Sequence, residues 1–223
     1  ICSDEDQSDW SAIYTFARLR GVVYDQDFTE QVICPIDWQR SGGSYSEKAD
    51  YPSLVASDVL NNLVTFRYLK ETDVKSWQTV EKIFDRGLFS SRHIAVTMEL
   101  SQSHWLFSPI LELSNEEDNY HLAFDLALTD KSSNAQPFEG FTSNVNSRFM
   151  VIVSDDGGIT WKTENAVTWG TSRDEYKFSS IPVSGRSYSI DLTKYAGKPI
   201  MVAFYVYTKD IEEGDGAALH IDN

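Results

Sequence analysis

The chain has 223 residues, enough for one large all-β domain or one domain with pieces of another. Its 34 acidic and 19 basic residues leave a formal charge of −15, which sets it against nucleic-acid phosphates and anionic membranes and suits a soluble extracellular protein whose carboxylate clusters calcium partly neutralises. Hydrophobic residues make up 41% of the chain, so a core can be buried, yet no apolar run reaches the about 20 residues that a membrane-spanning helix needs.

The chain opens on "ICSDEDQ" without a Met, as an excised or processed fragment does, so missing targeting signals say nothing of location. Cys2 and Cys34 lack metal-ligand spacing, which leaves two readings: one disulfide in an oxidising compartment, or two buried thiols. "RSGGSYSEKADYPS" reads as an irregular loop. "TDVKSWQTVEKIFDRG" (72–87) places Val74, Trp77, Val80, Ile83 and Phe84 at helical spacing, with Thr72 or Asp73 as cap and Gly87 as stop. It predicts a short amphipathic helix inserted in a connection.

From Tyr120 onward strands dominate. "YHLAFDLALT" sets Tyr120, Leu122, Phe124, Leu126 and Leu128 on one face and His121 and Asp125 on the other, the period of a half-buried antiparallel strand. "RFMVIVS" is a continuous apolar run, as in an inner strand. "PIMVAFYVYT" alternates again, Ile200, Val202, Phe204 and Val206 against Met201, Tyr205 and Tyr207. "SYSIDL" and "ALHID" are shorter strands, and "NEEDN", "DDGG", "YAGKP" and "EEGDG" are turns between them. The predicted fold class is all-β: an antiparallel β-sandwich of jelly-roll type with a short helical insertion.

Five stretches in order carry a resemblance: "YDQDFTEQVICPIDW", "HWLFSPILELS", "FMVIVSDDGGITW" after "YHLAFDLAL", "IDLTKYAGKPIMVAFYV" and "ALHIDN". Together they resemble the cleaved-adhesin or choice-of-anchor J jelly roll, a MAM-like module of secreted and surface proteins of Bacteroidetes-type bacteria, including gingipain-haemagglutinins. The match runs from Leu19 to Asn223. It departs between Ser41 and Ser103, and at "IDN", where the family's last strand runs on and this one reads as clipped. Residues 1–18, with Trp10 and Ser11 before a closing strand, resemble the last hairpin of a fibronectin type III domain. The expected organisation is a fibronectin-like remnant over 1–18 and the adhesin-like domain over 19–223.

"SDDGGITW" matches an Asp-box: Ser154, Asp156, Gly158, Thr160 and Trp161. Its expected role is structural, with Asp156 accepting backbone N–H groups, the glycines taking positive φ and the indole covering the turn. Sialidases carry several such boxes; this chain has one copy and no blade repeat. The resemblance further implies structural calcium where first and last strands meet, carried onto Asp27, Glu30 and Asp222, with solvated acids as the alternative. Asp25 shares that opening segment. "DIEEGDG" lacks EF-hand spacing and reads as a solvated loop.

His93, His104, His121 and His220 are scattered through strand-like segments, with no H-E-x-x-H and no G-x-S-x-G, so a non-catalytic protein is expected. A hydrolase would need a cleft with two carboxylates or a Ser–His pair in contact. Trp169, Tyr176, Tyr205 and Tyr207 are candidate rings for stacking on sugars, or else fill the core. The expected function is an adhesion or binding module of a larger secreted or surface-anchored bacterial protein. Its expected partners are a glycan, an extracellular protein or neighbouring domains, without nucleic acid or membrane insertion. The alternative is a spacer beside a peptidase or glycosidase domain.

Overall fold

The computed structural model describes residues 24–29, 37–42, 47–48, 51–52, 64–65, 77–99, 102–115, 119–131, 136, 147–170, 176–208 and 216–223. The expectations for 1–18, Cys2, Cys34, Glu30, the helix start at Thr72, Asp73 and Val74, and most of "DIEEGDG" lie outside them.

Apolar residues at every second position dictate strands that each bury one face, and two such sheets pack together. The smaller sheet has five strands: β5 (Gln78–Val80), β6 (His93–Met98), β9 (His121–Asp130), β13 (Arg186–Asp191) and β15 (Ala217–Asp222), in the order β13-β9-β15-β6-β5. The larger sheet runs β12-β11-β10-β14-β7-β1-β4, through β1 (Gln39–Gly42), β4 (Val64–Thr65), β7 (Gln102–Phe107), β10 (Arg148–Ser154), β11 (Ala166–Gly170), β12 (Tyr176–Lys177) and β14 (Pro199–Thr208). β8 (Leu111–Glu112) also pairs with β14, and β2 (Glu47–Lys48) with β3 (Tyr51–Pro52) forms a separate two-stranded sheet. Among the described residues all pairs are antiparallel except β11 with β12. The molecule is an all-β sandwich of jelly-roll type.

The main core lies between the sheets, and the alternation read in "PIMVAFYVYT" divides as expected. Ile200, Val202, Phe204 and Val206 join Phe124, Leu126, Leu128, Leu219 and Ile221 in that core. Ala203, Tyr205, Met201 and Tyr207 instead join a second cluster with Trp105, Phe107, Met150, Ile152 and Trp161 on the opposite face of the larger sheet. β10, between β11 and β14, is buried on both faces.

The helical insertion is a correction. Gln78–Val80 form β5, paired with β6 through Gln78 to Ala95 and Val80 to His93. Residues 81–87 hold no helix; the N–H groups of Ile83 and Phe84 both donate to the Phe89 carbonyl at 2.9 and 3.3 Å. Gly87 (φ 84°) turns this segment, as a stop residue can, but in a loop. Trp77 is fully buried in the core, and a strand there both sinks its indole and completes the edge beside β6. Tertiary pairing outweighs an apolar spacing that fits a helix only on paper.

Candidate functional site

The opening segment meets the end of β15 at one end of the sandwich. Residues 24–29 form no regular strand. Phe28, at φ 51° and buried, sets its ring edge-on to Trp38 with centroids 5.3 Å apart. Trp38 in turn stacks on Phe204 of β14, at 6.1 Å and 15°. Its indole N–H donates to the Tyr24 hydroxyl at 2.8 Å, and that hydroxyl donates to Gln26 Oε1 at 3.2 Å. Tyr24 itself is 36% exposed. A cavity of about 280 Å³ opens here, with an apolar floor that includes Trp38, Phe124 and Phe204 and a rim that includes Tyr24, Gln26 and Asn119.

Carboxylates gather beside this cleft. β15 sets Asp222 opposite Asp125 of β9, and β13 sets Ser187 opposite the same Asp125. Asp125 is only 5% exposed and accepts a hydrogen bond from the Ser187 hydroxyl. Burial pushes the Asp222 carboxyl up to about 6; the Asn223 N–H and Ser91 oppose this, while the charges of Asp125 and Asp27 add to it. The two charges that act with burial to raise Asp222 are thus both acidic. Asp27 Oδ1 is engaged by the N–H and hydroxyl of Thr29, at 3.1 and 2.9 Å.

So Asp27 and Asp222, two of the three expected calcium ligands, come within electrostatic reach of each other, and Asp125 joins them. The oxygen donors are of the kind a hard cation takes. Among the described residues, however, no three His, Cys, Asp or Glu side chains form a group tight enough to hold an ion. Asp125 is the residue that sequence reasoning passed over. Its signal was present, as a lone acid on the outward face of an otherwise apolar alternation.

In the Asp-box turn, Asp156 Oδ1 accepts from the N–H groups of Ile159 and Thr160 at 3.0 and 2.9 Å, and Oδ2 from the Thr160 hydroxyl at 2.6 Å. The Ser154 hydroxyl donates to Asp156 and accepts from the Gly158 N–H. Gly157 and Gly158 sit at φ 69° and 95°, and the Trp161 indole donates to the Gly158 carbonyl at 3.2 Å. These bonds lower the Asp156 pKa against the burial that raises it. The carboxylate's bonds run to its own turn.

The four candidate rings divide. Trp169 is 1% exposed, inside the main core, and Tyr205 is 2% exposed in the second cluster, stacked on Trp105 at 4.0 Å. Neither offers a face to a sugar, which corrects that expectation for both. The strand alternation drives Trp169 inward, where Phe149 and Phe124 pack on it at 5.2 and 6.1 Å. Tyr176, on β12, is 40% exposed and stacks on Trp169; Tyr207 is half-buried.

Two histidine contacts stand apart. The Ser189 hydroxyl lies 3.3 Å from His121 Nδ1, while His121 Nε2 lies 2.6 Å from Asn119 Oδ1. A Ser–His pair in contact therefore exists, but all three side chains are exposed, the Ser–His distance is long, and the third group is a neutral amide. Behind the smaller sheet His93 Nε2 meets His220 Nδ1 at 2.9 Å, and His220 Nε2 meets the Thr129 hydroxyl at 3.0 Å. Because His93 Nδ1 faces the Ser91 carbonyl, it carries the proton, and the neutral chain then runs Thr129 to His220 to His93 to Ser91. Burial lowers the pKa of His93, and burial with the His93 charge lowers that of His220 to about 3.

No family model and no curated protein matches this chain. Among solved structures it is similar to the carbohydrate-binding module TmCBM61 in complex with beta-1,4-galactotriose (14% identity, 89% of this chain and 95% of that chain, TM-score 0.43). It is also similar to the K1 cleaved adhesin domain of Lys-gingipain from Porphyromonas gingivalis W83 (14% identity, 88% and 94%, TM-score 0.45). A third is the family 11 carbohydrate-binding module of Lic26A-Cel5E from Clostridium thermocellum (12% identity, 90% and 91%, TM-score 0.35).

Proposed function

We propose that this chain is a non-catalytic binding module of a secreted or cell-surface protein, taking a glycan or an extracellular protein and steadied by calcium. The observation that supports the reading is the cleft: an aromatic floor under a rim of hydroxyl and amide groups suits a ligand with apolar faces and neutral polar edges. The acidic surface and net charge of −15 favour the same setting. Among the described residues no helix is long and apolar enough to cross a membrane.

The calcium would sit between the opening segment and β15, with Asp27, Glu30 and Asp222 as carboxylate ligands, backbone carbonyls completing the shell and Asp125 beside them. The acids Asp125 and Asp27, whose charges raise Asp222, support it.

The test is a glycan and matrix-protein array with the native chain and a Tyr24→Ala variant. Reproducible binding that Tyr24→Ala weakens tenfold or more is the expected result. Silence across the array, with a folded protein, sinks the reading in favour of a spacer.

A further inference from the structure

We propose that the side of the sandwich where β12 and β13 end the two sheets is a second ligand site, one that takes an acidic sugar with its ring on Tyr176 and its anionic group on Arg186. This rests on the binding-module reading and takes its glycan branch, through residues that do not line the cleft.

β12 sets Tyr176 opposite Trp169 of β11, and the two rings stack at 5.1 Å and 20°. From the other sheet, Tyr188 of β13 meets the same indole edge-on at 5.4 Å. Trp169 is buried, but Tyr176 stays 40% exposed. The indole is therefore a fixed backing that holds the tyrosine ring at the surface. The C–H face of a sugar ring is apolar and flat, and lies readily on such a ring.

Two further observations point to a polar, anionic ligand. The Trp169 indole N–H is buried without a hydrogen-bond partner, and so is the hydroxyl of Ser147, two residues before the Phe149 that pairs with Trp169. Buried donors left unmet are costly, and mark places whose partner arrives from elsewhere. The Tyr188 hydroxyl does not fill the gap, since it donates to the Ser180 carbonyl at 3.3 Å. A sugar oxygen entering between the Tyr176 and Tyr188 rings is the acceptor that the indole lacks.

The cations give the sign of the ligand. Lys82, Arg92, Lys131 and Lys198 each bridge an acid. Among the described residues Arg186 and Lys177, both exposed, bridge none. Lys177 follows Tyr176, and Arg186 lies close enough to act on Tyr188, whose phenol burial raises and the Arg186 charge lowers. In a chain of net charge −15, unbridged cations beside an exposed ring favour an anion. The planar guanidinium matches a carboxylate or sulfate through paired N–H bonds.

The experiment titrates the native chain with β-1,4-trimannuronate and with β-1,4-mannotriose, the same rings with CH₂OH in place of the carboxylate. Affinity is read by calorimetry, and the Trp169 indole N–H resonance by NMR. The expected result is a shifted indole resonance and at least tenfold tighter binding of the acidic sugar, weakening as salt rises. Arg186→Gln should erase the preference, and Tyr176→Ala should weaken both sugars at least tenfold. Both sites are exposed, so neither change should move the urea midpoint. A sulfated mannotriose forms the third arm: a preference for it that Arg186→Gln also erases supports the site and names sulfate as the anion. Equal affinity for acidic and neutral sugars, or no binding by the folded chain, overturns the proposal. Binding lost in Tyr24→Ala but kept in Tyr176→Ala overturns it too, while the binding-module reading stands.

Discussion

At the residue scale, Asp156 and His104 show how local surroundings set chemistry. Asp156 closes its turn with two backbone N–H groups and the Thr160 hydroxyl. Asp156→Ala leaves those donors unmatched, and equilibrium denaturation should show a loss of about 1–3 kcal/mol. The folded state holds His104 near 4, by burial first and then by the Arg40 charge, and it also lowers His93 by burial. These two, and His220, which burial and then the His93 charge lower to about 3, bind protons more readily when unfolded, at about 6.5. Stability is therefore complete above about pH 6.5 and falls as pH drops toward 4. Asp222, raised to about 6, works the other way, since its penalty is relieved on acidification. Three depressed histidines against one raised carboxylate leave a net loss of stability as pH falls from about 6.5 to 4. Urea midpoints across that range check it, and His104→Gln should flatten the slope.

At the scale of elements, the strands were legible and the connection before β6 was not. Period-two alternation in 120–129 and 199–208 reports which face is buried, and β9 and β14 obey it. The segment 77–87 contains apolar residues at helical intervals, but the vacancy beside β6 decides its conformation, and no local spacing encodes that. The same limit explains the aromatic rings. Trp169 and Tyr205 lie on opposite faces of one sheet, and both faces are covered, whereas the sequence shows only that they alternate. Asp27 and Asp222 were legible as acids at the two ends of the domain, but Asp125 joins them only through the register of β9 with β15. Trp77→Ala should cost about 3–5 kcal/mol and loosen β5, read as faster amide exchange in Gln78–Val80 and the facing residues of β6.

At the scale of the whole molecule, three acids meet at the junction of the chain's opening segment and its last strand, where positive charge would stabilise them. If calcium supplies it, saturating the protein at 100 times the dissociation constant should add about 2.7 kcal/mol of stability. Removing the ion with excess chelator should then lower the melting temperature by several degrees, and Asp222→Asn should abolish the difference. A melting temperature indifferent to chelator sinks the calcium proposal and leaves the cleft intact.

The second aromatic cluster gives the molecule an optical signature. Trp105 lies 4.0 Å from Tyr205 of β14, nearly parallel to Phe107 of its own strand and 6.3 Å from Trp161 at the end of the Asp-box turn. Rings held this close and at fixed angles couple their electronic transitions. The native fold should therefore show strong near-ultraviolet circular dichroism that vanishes as the larger sheet comes apart, a label-free clock for one face of the sandwich.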